Sequence, residues 1–75
     1  MSTLDRLKPG QKANIVRVSS AGPIRRRIAE MGVVRGTLVE VVRIAPLGDP
    51  IEVKVKGYHL SLRKKEAAAI TVKLP

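Results

Sequence analysis

Apolar and polar residues alternate strictly through residues 51–56: Ile51, Val53 and Val55 share one face of an extended segment, while Glu52, Lys54 and Lys56 share the other. This pattern predicts a half-buried strand. After Gly57 the alternation resumes, with Tyr58, Leu60 and Leu62 on one side and His59, Ser61 and Arg63 on the other. A second strand is therefore predicted, antiparallel to the first behind a tight glycine turn, with Tyr58 pointing inward. Upstream, residues 37–45 (TLVEVVRIA) are rich in β-branched side chains and are broken by Pro46, Gly48, Asp49 and Pro50. Proline cannot donate to a ladder and glycine tolerates positive φ, so a three-strand meander results.

The flanking segments complete a small sheet. Residues 12–18 (KANIVRV) read as the first strand, followed by a loop at Ser19-Ser20-Ala21-Gly22. Pro23 suits the first position of a helix, Ile24, Ile28 and Met31 recur at helical spacing, and Gly32 is placed to stop it. On the outer face Arg26 and Glu30 form a four-residue ion pair, in the less favourable order for the helix dipole. Thr3-Leu4-Asp5-Arg6-Leu7 reads as a short capped helix that lids the core through Leu4 and Leu7. Residues 66–68 are too short for an independent helix and predict one tight turn before a last strand over residues 69–74, where Ile70, Val72 and Leu74 alternate with polar residues. The expectation is a mainly β fold: a five-stranded SH3-like barrel with one short helix between strands 1 and 2. An OB-fold usually carries its helix later.

Size and charge narrow the function classes. With 75 residues the chain has room for one domain, residues 1–75, and one modest core. No Phe or Trp is present, so that core consists of Val, Ile and Leu. The absence of cysteine excludes disulfides, thiolate metal sites and cysteine nucleophiles. The start, MSTLDRLKPGQK, contains no apolar run of signal-peptide length and nothing near the ~20 apolar residues needed to span a bilayer. A cytoplasmic protein is expected, with any membrane association indirect. Fifteen Lys and Arg against 6 Asp and Glu give a net charge of +9, which favours encounter with acidic partners without specifying one. The cations are scattered except for Arg25-Arg26-Arg27 and Arg63-Lys64-Lys65.

Candidate chemistry is sparse. His59 is the one histidine, and it falls on the polar face of its strand without a base or an orienting partner. A cross-strand meeting of His59 with Glu52 or Glu40 reads as a surface pair rather than a metal site, which requires several converging ligands. Asp49 reads as a turn-fixing side chain. The glycines do not follow the G-x-x-x-x-G-K-[ST] order of a phosphate-binding loop. Catalytic, cofactor-binding and metal-binding residues are thus all expected to be none, and no small-molecule substrate is expected. Leu47, between Pro46 and Gly48 at a predicted hairpin tip, cannot easily reach the interior; entry into a partner's pocket and ordinary packing within its own loop are both open to it.

Several words of the sequence carry a resemblance. Ala45-Pro46-Leu47-Gly48-Asp49-Pro50-Ile51, Gly57-Tyr58 and Leu60-Ser61-Leu62-Arg63-Lys64-Lys65-Glu66-Ala67 resemble the C-terminal half of the FeoA family, ferrous iron transport protein A. Leu4, Leu7, Pro9-Gly10, Ile15, Val18, Ile28, Met31-Gly32-Val33 and Gly36 follow that family's order in the N-terminal half. One position departs, Arg35, where many relatives carry proline. The resemblance implies an SH3-like barrel in prokaryotic iron homeostasis that acts by protein–protein interaction. Its partner would be the membrane ferrous iron transporter FeoB, whose cytosolic part contains a G-protein domain. The partner-binding residues expected on this reading are Pro46, Leu47, Asp49, Arg25, Arg26 and Arg27. Two alternatives stand beside it: a small basic nucleic-acid-binding barrel, weakened by the shortage of aromatic side chains for stacking, and a detached relative of the SH3-like domain of metal-dependent repressors.

Overall fold

The computed structural model, which describes residues 1–19 and 22–75, turns the alternating segments into strands. In chain order they are β1 (Ser2–Thr3), a 3-10 turn (Leu4–Arg6), β2 (Lys12–Val18), α1 (Gly22–Glu30), β3 (Leu38–Ile44), β4 (Ile51–Val55), β5 (Tyr58–Leu62), α2 (Lys64–Ala68) and β6 (Ile70–Lys73). They form one antiparallel sheet in the order β1-β6-β2-β3-β4-β5. The mainly β class and the helix after the first long strand agree with the expectation. Two additions correct its details. Ser2–Thr3 forms a two-residue strand against β6, raising the strand count to six, and residues 64–68 form a short helix where a tight turn was predicted. Ser20 and Ala21 of the predicted loop lie outside the described residues.

Two bulges curve the sheet. In β2 the register against β6 passes from Ile15↔Val72 to Arg17↔Thr71, so Val16 is the extra residue. In β3 it passes from Val41↔Val53 to Arg43↔Glu52, so Val42 is extra. An extra residue bends the strand and increases its twist, and it resets which side chains face inward. Val41 and Ile44 can therefore both face the interior although they are three residues apart. The hydrophobic core is aliphatic, with Val39, Val41, Val53, Ile51, Leu62 and Ile70 in one buried cluster that also takes in Leu4 from the 3-10 turn and Leu7 just after it.

The helix α1 covers the core through Ile28 and ends at Gly32 as its sequence predicts. Gly32, with φ of 83°, donates its N–H to the Ala29 carbonyl at 3.0 Å, and Val33 donates to the Ile28 carbonyl at 3.2 Å. This pair of bonds is a Schellman cap, and buried Val33 supplies the apolar contact that accompanies it. Lys56 and Gly57, with φ of 51° and 83°, join β4 to β5 in a two-residue turn whose handedness matches the strand twist.

One inward assignment fails. Tyr58 is 72% exposed although Val55, directly opposite it in the register, is buried, because β5 is the edge strand and its first residue lies beyond the lateral limit of the core. Leu60 and Leu62, further along the same face, become half-buried and then fully buried.

Candidate functional site

The turn at residues 45–48 is closed by the Gly48 N–H donating to the Ala45 carbonyl at 2.7 Å, with Pro46 in its second position and Gly48 at φ of 86°. The Ala45 N–H in turn donates to the Pro50 carbonyl at 3.1 Å. The backbone is thus pinned at both levels, and the side chain between them has nowhere to go but outward. Leu47 is 96% exposed. Pro46 beside it is also exposed, so the tip presents an apolar projection on a fixed base.

Asp49 does not share that projection. Its Oδ1 accepts a hydrogen bond from the Lys64 N–H at 3.0 Å, satisfying one of the unpaired donors at the start of α2. It fixes the hairpin, as its turn chemistry predicts, but does so across 15 residues rather than within its own turn.

The three arginines of α1 do not act as one patch, since successive helical residues point about 100° apart. Arg27 forms an ion pair with Glu66 of α2. Arg25 instead lines a hollow between α1 and β2. The expected pairing of Arg26 with Glu30 does not form; the ion pair among the described residues is that of Arg27. Arg26 is left exposed on the helix surface.

Sequence reasoning missed the role of α2. Glu66 is only 2% exposed, yet its carboxylate is fully occupied: Oε1 accepts from the Arg63 N–H at 2.8 Å and Oε2 from the Arg27 guanidinium. The first contact is the reciprocal half of a capping box; the other half has no side-chain counterpart, because a guanidinium offers no acceptor. Two carboxylates, Asp49 and Glu66, thus sit at the start of α2, where the helix dipole favours negative charge. The predicted contact regions meet at this five-residue helix: the hairpin is tied to it by Asp49, and α1 is tied to it by Arg27. The local signal was weak, since Arg63 is no usual cap and both partners come from remote positions.

His59 faces outward on β5 directly opposite Lys54, and Lys54 is opposite Glu40 on β3. The nearest pairing offered to the imidazole is therefore a cation, while Glu52 lies opposite Ser61. The described residues contain no group of three His, Asp or Glu side chains arranged to hold a metal ion. They also contain no helix long and apolar enough to cross a membrane.

Comparison with known proteins places this geometry. The family model of the FeoA domain matches residues 2–74. A fusion protein of Fe(2+) transport protein A and the Fe(2+) transporter FeoB from Porphyromonas gingivalis is 46% identical over 71 residues; the match covers 95% of this chain but 8% of that protein's length. Among solved structures, FeoA from Chlorobium tepidum is 44% identical with a TM-score of 0.90, covering 96% of this chain and 69% of the other. FeoA from Stenotrophomonas maltophilia, a prokaryotic SH3 domain protein solved in complex with zinc, is 31% identical with a TM-score of 0.85, covering 97% and 91%. The fold of this chain is accordingly SH3-like.

Proposed function

Because the chain belongs to the FeoA domain family, whose members serve ferrous iron transport, we propose that it is a cytoplasmic accessory protein that docks on the cytosolic part of the transporter FeoB. The observation that carries this reading is the exposed Leu47 on a hairpin whose base is held by three hydrogen bonds. A fixed apolar projection loses little conformational entropy on entering a pocket, which is how small interfaces gain affinity. Pro46 and Leu47 supply the contact, Asp49 holds it in position, and the basic helix face of Arg25 and Arg26 speeds encounter with an acidic surface. Arg27 acts through Glu66 to orient that face. The fusion of FeoA and FeoB in one polypeptide of Porphyromonas gingivalis supports the pairing of the two. Docking shifts the transporter between conformations only if the two bind this chain with different affinity.

The test is titration of the chain against the cytosolic part of FeoB. Leu47→Asp should weaken binding by about a hundredfold, the effect of losing a buried apolar anchor, with an unchanged melting temperature. Equal affinity for the variant and the parent would remove the hairpin from the interface. If iron uptake is the same in cells with and without the chain, the assignment itself fails.

A further inference from the structure

On the side of the molecule formed by β2, α1 and the segment 33–37, two adjoining hollows make one groove. The first, of about 310 Å³, has an apolar floor of Val16, Ala29 and Val33, with Arg17, Arg25 and Arg35 around it. The second, of about 640 Å³, runs on across the outer face of the sheet, with Leu38 on its floor and Lys12, Lys54 and Lys56 at its sides. Val34 and Arg35 belong to both. Six cations therefore face the groove against a single carboxylate, Glu40, which in the strand register stands opposite both Lys12 and Lys54.

We propose that this groove binds an acidic peptide segment of another protein, one that carries aliphatic side chains between its carboxylates. The charge excess demands an anion, and Arg35 at the junction offers a planar fork suited to a carboxylate. The floor adds the second requirement. Val34 and Leu38 are 40% and 47% exposed, in a chain whose other valines and leucines mostly lie inside, and covering them rewards an apolar group on the ligand. A nucleic acid answers the charge but not the floor, because the lining contains no aromatic side chain on which bases could stack. A second copy of this chain offers exposed Leu47 for the floor but does not answer the charge. With a net charge of +9 it is repelled, and three of its six acidic residues, Glu40, Asp49 and Glu66, are already committed. The site shares only Arg25 with the surface assigned to FeoB docking and does not depend on the hairpin.

Three labelled probes separate the possibilities by fluorescence anisotropy with the full chain: a peptide of about twelve residues with glutamates interspersed with leucines, the same peptide with serine for leucine, and a DNA duplex of matching charge. The glutamate–leucine peptide should bind at physiological salt, the serine version about tenfold more weakly, and the duplex more weakly still. Arg35→Glu should weaken the first peptide by about tenfold or more, and Leu38→Ser, at an exposed position that leaves folding intact, should erase its advantage over the serine version. Leu47→Asp should leave all three affinities unchanged, so failure here and failure of the FeoB assignment are distinguishable. Equal affinity for the two peptides, tightest binding of the duplex, or no binding of the first peptide would each overturn the proposal.

Discussion

The inner face of the sheet and the junction at α2 hold the molecule together in opposite ways. Inside, side chains such as Val39, Val53, Leu62 and Ile70 touch several equivalent neighbours, and any one contact is a small part of the total. At α2, two carboxylates each depend on single named partners: Asp49 on the Lys64 N–H, and Glu66 on Arg63 and Arg27. The first arrangement is dispersed, cooperative and blind to chemical detail beyond size. The second is discrete, and it ties the hairpin and α1 to one short helix in addition to the packing they share on the core. Stability thus resides chiefly in one region and the placement of the exposed surfaces in the other.

The largest effect should come from the dispersed region. Leu62→Ala removes a fully buried side chain from the closing end of β5 and should cost about 3 kcal/mol, the usual range for such a truncation in a core that relaxes only partly. Denaturant unfolding measures it directly. A loss below about 1 kcal/mol would mean that the sheet interior is loosely packed and that the contrast between the regions is false.

Glu66→Ala should come next, at about 2 kcal/mol. Removing one partner of a fully buried pair costs more than this, but the Arg27 side chain is 51% exposed, so solvent already screens its half of the interaction. A double-mutant cycle with Arg27→Ala isolates the pair, and a coupling of about 1 kcal/mol is expected. Amide exchange adds the readout that distinguishes the junction from the core. Glu66→Ala should loosen α1 selectively, whereas Leu62→Ala should weaken protection throughout the sheet. Asp49→Ala should cost less again, about 1 kcal/mol, the worth of one helix-capping bond. Its more telling effect would be on FeoB binding, which should fall although Leu47 is untouched.

The same contrast explains what could be read from the residues. The period-two pattern of Ile51, Val53 and Val55 needs only a wet face and a dry face, so β4 is legible apart from its end, where Lys56 enters the turn instead of continuing the polar face. The strand at residues 12–18 and the stop at Gly32 are legible for similarly local reasons. Tyr58 misleads because alternation says which face a residue shares, not how far the core extends beneath it. The two-residue strand at Ser2–Thr3 is too short to show any period. The α2 junction leaves only a weak local trace, the three-residue spacing of Arg63 and Glu66: a buried acid in a five-residue segment reads as a solvated turn until Arg27, 39 positions away, is known to lie against it. Of the expected contact residues, the sequence indicates the exposure of Leu47 but not that Asp49 and Arg27 are committed to the scaffold.

The smallest predicted effect tests whether the surface groove is separable from both regions. Val34 accepts a bond from the Thr37 N–H at 3.1 Å, so residues 34–37 form a β-turn with Arg35 second and Gly36, at φ of 86°, third. That is the pattern of a type II turn, in which proline is favoured at the second position. Arg35→Pro should therefore stabilise the chain by about 0.5 kcal/mol, because it restricts the unfolded chain without a native cost. The same change removes the cation shared by both hollows, so it should weaken the glutamate–leucine peptide while raising the melting temperature. A fall in both would place Arg35 in the scaffold; a rise in stability with unchanged peptide affinity would take it out of the groove. Opposite movements would show that this position was given to recognition at the expense of turn rigidity.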